Sequence, residues 1–331
     1  MKCRNFAPLI QLFFSFFLLF SCAKKITESK GIILGFSQIG SESAWRNCNT
    51  RSVQEAAADA GIQILFFNAE QKQENQIKAI RSFIAYQVDV IAFVPIVSDG
   101  WEMVLEEARE AEIPVLICDR EINIKNENLY AGYLGTNMLR EGRSAAEFLL
   151  KKFIDPDTGE IVTDGKSVKI VEMRGTEGSS PTNMRAEGFR DVLAGYSGFE
   201  IIYSESGDFL RSKGYELMCK ILEKPELGNI HVVYSHNDGM TLGAIDAMKE
   251  RGIKPGEDIV IISIDAEQAA IDALKRGEIN CVVECNPKQG PDIMHLAGLL
   301  ALKETIPRVI FMEERVFTEW DDLSAIAPRG Y

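Results

Sequence analysis

The stretch IHVVYSHNDGMTLGAIDAMKERGIKPGEDIVIISIDA, residues 230–266, decides the fold. It opens on a short apolar run, Val232, Val233 and Tyr234, and stops on Ser235, His236, Asn237 and Asp238. A helix-like stretch at 239–251 follows, with Gly252 just beyond it, where a helix C-terminus favours glycine. A second apolar run at 258–265 ends on Asp265. Strands that are apolar on consecutive residues suit a sheet covered on both faces. Alternation with a helix makes the two strands parallel, joined by a right-handed crossover. The unit also raises a chemical question: a buried strand delivers an amide and a carboxylate at its tip.

Working outward, the same alternation runs through the chain. Upstream, apolar runs at 31–36, 62–67, 88–95, 113–119 and 129–135 precede amphipathic stretches at 43–60, 72–86, 99–111 and about 138–153. A second series has runs at 168–173 and 199–205, followed by helical stretches near 182–194 and 210–223. After the opening stretch come a helix at 267–275, the strand CVVEC, a helix near 289–303 and the strand ERVFTEW. Asn137, Pro181 and Asp238 stand at helix starts, as caps or first-turn residues. The ten or so strands divide at the polar, turn-rich segment 154–166, IDPDTGEIVTDGK. Two sheets of five or six strands suit the usual domain size better than one large sheet. The fold class is α/β, with two Rossmann-like domains built on parallel sheets.

The N-terminus carries a separate message. Lys2 and Arg4 form a basic start, and an apolar run from Leu9 to Phe20 is broken by Gln11 and Ser15. The run is short for a membrane span and has the length of a signal-peptide core. It ends LLFSCAKK, in which Leu19, Ser21 and Cys22 resemble the bacterial lipobox. That resemblance implies a signal peptide over 1–21, lipidation of Cys22 and a polar tether over 22–30. A plain secretory signal with an unrelated cysteine is the other reading. Of the seven cysteines, Cys3 and Cys22 are then accounted for, which leaves Cys48, Cys118, Cys219, Cys281 and Cys285. An odd number leaves at least one free thiol. Cys281 and Cys285, four apart on one strand, are separated by about 13 Å and cannot pair unless the strand turns.

Composition excludes some functions. A net charge of −13 argues against a nucleic-acid binder. The three histidines are scattered and no Cys-x-x-Cys occurs, so no metal or other cofactor is expected. Gly35-x4-Gly40 mimics the start of a P-loop, but Ser41 and Glu42 replace the lysine and hydroxyl residue that phosphate and magnesium need. No G-x-G-x-x-G follows the first strand and no G-x-S-x-G occurs. The chain is expected not to be an enzyme.

Ligands of open α/β sheets bind beyond the carboxyl ends of the strands. Those ends carry Ser41, Glu42, Trp45 and Arg46 in the first half, then Asp119 with Arg120, and Asn137. In the second half they carry Arg185, Asp208 with Phe209, Asn237 with Asp238, Asp265 and Glu284. Carboxylates accept from hydroxyls, guanidinium donates in a fixed fork and an amide does both. Trp and Phe offer flat apolar faces to a sugar ring. The mixture suits a small neutral polyol. Each group also has an ordinary structural reading: Asp119 with Arg120 as an ion pair, Asp238 as a helix cap, Trp45 as core.

The succession GFSQIGSESAWR, FFNAEQKQENQIKAIRSFIAYQVDVIAFVPI, EIPVLICDR, TNMLREG, RGTEGSSPTNMRAEGF, SGDFLRSKG and the opening stretch resembles periplasmic sugar-binding proteins of the ribose/galactose type. It is especially similar to the galactofuranose-binding component of an ABC importer. The resemblance covers nearly all of residues 31–331. It implies the type I periplasmic binding protein fold, two lobes joined by a three-strand hinge, with a monosaccharide held in the cleft and enclosed when the hinge closes. One lobe would take 31–137 with 286–312, the other 138–285 with 313–331. Arg120, Arg185, Asn237, Asp265 and Glu284 match positions that hold sugar hydroxyls, Phe209 matches the aromatic after Gly-Asp, and SESAWR matches the galactofuranose subgroup. It further implies ABC permease and ATPase subunits as partners, a monomer, and a lipid-anchored place in the periplasm or at the cell surface. PTNM before Arg185 departs from the subgroup, and the subgroup's disulfide pair is missing. A lipid-anchored sugar sensor serving a chemoreceptor or receptor kinase is the alternative. A LacI-type regulator would need a basic helix-turn-helix where this chain has its apolar leader.

Overall fold

The structure, a computed structural model, describes residues 31–163, 167–227 and 229–331. The expected signal peptide and tether, including Cys22, lie outside the described residues.

In chain order the elements of the first half are β1 (Ile33–Gln38), α1 (Ala44–Ala60), β2 (Gln63–Asn68), α2 (Gln73–Tyr86), β3 (Val90–Phe93), α3 (Glu102–Glu110), β4 (Val115–Asp119) and β5 (Gly132–Gly135). Then come α4 (Met138–Phe153), β6 (Val168–Arg174), α5 (Ser180–Leu193), β7 (Phe199–Ser206), α6 (Arg211–Leu222), β8 (Val232–Ser235), α7 (Asp238–Glu250), β9 (Val260–Asp265), α8 (Gln268–Lys275) and β10 (Cys281–Glu284). The chain finishes with α9 (Gly290–Ala301), β11 (Val309–Phe311) and β12 (Val316–Thr318). Two six-stranded sheets result, in the orders β11-β5-β4-β3-β1-β2 and β12-β10-β9-β8-β6-β7. Every pair is parallel except β10 with β12. The sequence reading names no separate strand at 309–311; this three-residue edge strand, half-exposed, is too short to show a period.

Period two sorts the strand residues onto two covered faces. In the first sheet Leu34, Phe36, Val90, Ala92, Leu116 and Cys118 pack on the side of α1 and α9. Ile91, Phe93, Val115 and Ile117 pack on the opposite side with α2 and α3. In the second, Val171, Met173, Val233 and Ile261 face α6, α7 and α8, while Ile170, Tyr234, Ile262 and Ile264 face α4 and α5. This double coverage explains the unbroken apolar runs.

The chain crosses between the sheets three times, after β5, after β10 and after β11. α4, which follows the first crossing, packs on α5 so closely that a Cβ on Gly142 would stand 2.2 Å from the Arg185 carbonyl oxygen, and one on Gly188 2.1 Å from that of Leu139. That close approach sets Arg185 beside the first turn of α4. Cys48, Cys118, Cys219, Cys281 and Cys285 are all free thiols. Among the described residues no helix is long and apolar enough to cross a membrane.

Candidate binding site between the two sheets

The carboxyl ends of both sheets face one shared space. From the first sheet, Ser43 caps α1 by accepting from the Arg46 amide at 3.0 Å, which aims Trp45 and Arg46 into the gap from the first turn. The Arg46 guanidinium donates to Asp119 at 2.7 Å and to Glu42 at 3.2 Å, and lies 4.6 Å from the Trp45 ring centroid. Burial works against its charge, but Asp119 and Glu42 outweigh that and raise its pKa. Glu42 is held from its other side by Gln71 at 2.8 Å. Asp119, the last residue of β4, takes a φ of +60°, which turns the chain so that Arg120 also enters the space. Arg120 gives one bond to the Ile96 carbonyl at 3.1 Å, and its Nε has no partner. Burial, with Arg46 nearby, lowers its pKa to about 10. Its guanidinium stands 5.3 Å from the Phe209 ring, across the gap.

From the second sheet, Arg185 projects from α5, its Nε on Glu141 at 2.6 Å and its Nη1 on the His236 carbonyl at 2.5 Å. Its Nη2 is left 3.9 Å from Asp265. Phe209 and Asp265 sit at φ of +63° and +127°. A non-glycine residue there is strained and is held by its surroundings, a feature that gathers at functional sites. Asn237, two residues past the end of β8, caps α7 by accepting from the Met240 amide at 3.0 Å and donates to the Phe209 carbonyl at 3.1 Å, so one side-chain amide ties the segments that follow β7 and β8 together. The Asp265 carboxylate has no hydrogen bond among the described residues, and burial pushes its carboxyl well above the usual range.

Contacts between the two sets of elements close the space. The Trp45 amide donates to Glu267 at 2.8 Å and its indole Nε1 to the Cys285 carbonyl at 2.6 Å. The Glu121 amide meets the Ser180 hydroxyl at 2.8 Å and the Ser98 amide the Gly178 carbonyl at 2.9 Å. These bonds tie the two halves together across the space.

Of the residues singled out in the sequence, Glu42, Trp45, Arg46, Asp119, Arg120, Arg185, Phe209, Asn237 and Asp265 line this one space. Three stand elsewhere. Ser41 is exposed on the loop before α1. Asn137 turns its side chain back to cap α4 through the Arg140 amide at 3.0 Å. Glu284 pairs with Arg329 and accepts from the Arg315 amide at 3.0 Å. Successive residues of an extended chain point to opposite sides, so Cys285 lines the space and Glu284 a groove behind it with Asn137. Asp238 is fully buried and binds the Ser263 hydroxyl at 2.5 Å and the Glu267 amide at 2.6 Å, within its own half. Sequence reasoning missed Ser43, Met138, Pro181 and Cys285 as lining residues. Ser43 lay inside the flagged SESAWR segment, Pro181 read only as a helix start, and Met138 and Cys285 carried no polar signal.

The lining gives forked donors, acceptors and two flat rings, with no activated nucleophile. The Cys285 thiol is held well up by burial and by the nearby Glu141 charge. Fold and site together define a solute-binding protein that encloses a small polar molecule between two α/β lobes. Residues 34–305 match the periplasmic binding protein domain, and the chain belongs to that family. It is 42% identical over 262 residues to the galactofuranose-binding protein YtfQ of Escherichia coli K12, covering 78% of this chain and 79% of that one. It is 28% identical to the fructose import binding protein FruE of Bifidobacterium longum, over 86% of this chain and 84% of that one. A Mycobacterium smegmatis structure in complex with β-D-fucofuranose superposes with a TM-score of 0.82 at 38% identity, over 87% of this chain and 92% of that one. The binding component of the arabinose ABC transporter of Shewanella sp. ANA-3, bound to α- and β-L-arabinofuranose, gives 0.80 at 38% identity, over 87% and 92%. The fold is that of the type I periplasmic binding proteins. The relatives are named as sugar-binding proteins, two of them as parts of import or transport systems, and the chain is a binding protein, not an enzyme.

Proposed function

We propose that this chain is the substrate-binding component of an ABC sugar importer, and that the space between the lobes takes one monosaccharide, galactofuranose or another pentose or hexose of similar size. The observation that carries the reading is the convergence of Arg46, Asp119 and Arg120 from one sheet with Arg185, Asn237 and Asp265 from the other on one space. Forked donors and acceptors from both sides fit a ring bearing hydroxyls all round its edge. Trp45 and Phe209 supply apolar faces for its C–H side. The ligands named for the relatives, three of them furanoses, favour the same chemistry and a five-membered ring.

In this mechanism the sugar first engages one lobe and completes its hydrogen bonds when the other swings over it. Binding shifts the open–closed equilibrium by the difference in affinity for the two forms. The lobes are 31–137 with 286–312 and 138–285 with 313–331, and the three crossings between the sheets form the hinge. The permease and ATPase subunits then recognise the clasped shape of a monomer. Hydroxyl-matched sites reject analogues strongly, because a missing hydroxyl leaves a buried polar group without a partner. A lipid on Cys22 holds the protein at the membrane surface. Calorimetric titration with L-arabinose, D-galactose, D-fucose, D-ribose and D-fructose tests the ligand: one of them binds and raises the melting temperature, and a panel without effect sinks the reading. Labelling with a radioactive fatty acid that persists after Cys22→Ala would remove the anchor.

A further inference from the structure

Behind the cleft, on the far side of Arg185, the three crossings meet in a second polar cluster. Thr136 comes from the first crossing, Cys285 from the second and Glu314 from the third, and Glu141 joins them from the first turn of α4. Side-chain oxygens or sulfur of Glu141, Cys285 and Glu314 lie within 4.8 Å of one another. Glu141 is only 1% exposed. One of its oxygens accepts from Arg185 at 2.6 Å, while the other, Oε1, is shut from solvent and has no hydrogen-bond partner. Oε1 of Glu314 is in the same condition.

Two ionised carboxylates are acceptors only and cannot satisfy each other. A single proton between them turns two stranded acceptors into one hydrogen bond and cancels one of two like charges. No other group does so. Arg185, from α5, is already spent on Glu141 and the His236 carbonyl. Asp265, at the tip of β9, adds negative charge, and the Cys285 thiol stays protonated because burial opposes its ionisation. On the groove side, Glu284 takes Arg329, and among the described residues neither Arg140 nor Arg315 forms an ion pair with Glu314. The backbone N–H of Asn286 reaches Glu314 but brings no full charge.

We propose that Glu141 and Glu314 form a proton-binding site, one proton held between the two carboxyl groups, which fastens the third crossing to α4 behind Arg185. Burial, reinforced by the Glu141 charge, pushes the Glu314 carboxyl up to about 10, as this geometry requires. Glu141 keeps its bond to Arg185 and acts as a positioning residue for the guanidinium that faces the cleft. Loss of the proton puts a second negative charge behind Arg185 and parts the crossing from α4. The consequence for ligand affinity rests on the proposed function; the proton site does not.

The sign follows from linkage. The folded value of Glu314 lies above its unfolded value, so its contribution to stability is full below the ordinary glutamate pKa and is lost as pH rises toward about 10. Thermal unfolding of the full chain should show the wild type losing stability relative to Glu314→Gln between about pH 5 and pH 9. The infrared difference spectrum, wild type minus variant at neutral pH, should contain a protonated-carboxyl band. Glu141→Gln interrupts the same pair and serves if the first variant fails to fold. Parallel melting curves, or no carboxyl band in the difference, overturn the proposal. So does zinc chloride that stabilises the wild type but neither variant, since a cation would then take the proton's place. If no sugar in the panel binds and the band is present, the function fails and the proton site stands.

Discussion

Asp265→Asn separates a residue kept for binding from one kept for stability. In the structure Asp265 is 5% exposed, its carboxylate has no hydrogen bond among the described residues, and it stands 3.9 Å from Arg185, a loose ion pair beyond hydrogen-bonding distance. Burial disfavours its charge. An acceptor left buried in this way costs about 1–3 kcal/mol. Asparagine has the same shape, tolerates a positive φ better than most residues, and removes the charge. The free protein should therefore melt a few degrees higher, since about 1 kcal/mol moves the midpoint by roughly 2–4 °C in domains the size of each lobe. Binding should move the other way. A hydrogen bond from a ligand hydroxyl to an ionised acceptor contributes about 1.5–3 kcal/mol, so its loss raises Kd roughly ten- to a hundredfold. Calorimetric titration with the sugar that binds gives the second number, and scanning calorimetry of the ligand-free protein the first. An unchanged Kd would refute the placement of Asp265 in the grip. A melting temperature that falls as far as affinity would show the residue to be part of the scaffold.

Other outcomes follow from the same coordinates. Phe209→Leu keeps the apolar bulk but removes the ring that Arg120 and a sugar face share, and should weaken binding roughly tenfold in the same titration. Gly142→Ala sets a methyl 2.2 Å from the Arg185 carbonyl oxygen, which must part α4 from α5, and should cost about 1–3 kcal/mol in urea unfolding while displacing Arg185. Glu172 is fully buried; burial would raise its pKa, but hydrogen bonds from His236, Arg190 and Ser204 prevail and hold it at about 2. Its folded value is below its unfolded value, so its contribution is present above the ordinary glutamate pKa and is lost as pH falls through about 2. Glu172→Gln should thus be less stable than the wild type at neutral pH, with the gap closing in acid; a gap independent of pH would count against the network.

The relation of sequence to site is uneven along the chain. The Asn237 tip was legible because an apolar run that ends in an amide has few structural uses, and the structure gives it two: the cap of α7 and the tie to Phe209. Glu267 was not legible. It stands in no motif, and its role, receiving the Trp45 amide, exists only because the two sheets face each other. Glu284 and Cys285 show the limit most plainly. One step along the strand exchanges the cleft for the groove behind it, and strand parity relative to a distant partner is not a local property.

By itself, the sequence determined the class of fold, the order and spacing of strands and helices, and the residue types at the strand tips. Periodicity, caps and turn residues act over a few positions, and so they can be read locally. Tertiary structure alone decided which tips converge. Asp119, Phe209 and Asp265 reach the cleft through backbone conformations that none of them prefers in isolation. Contacts from distant parts of the chain impose those conformations, and no window of sequence contains the contacts.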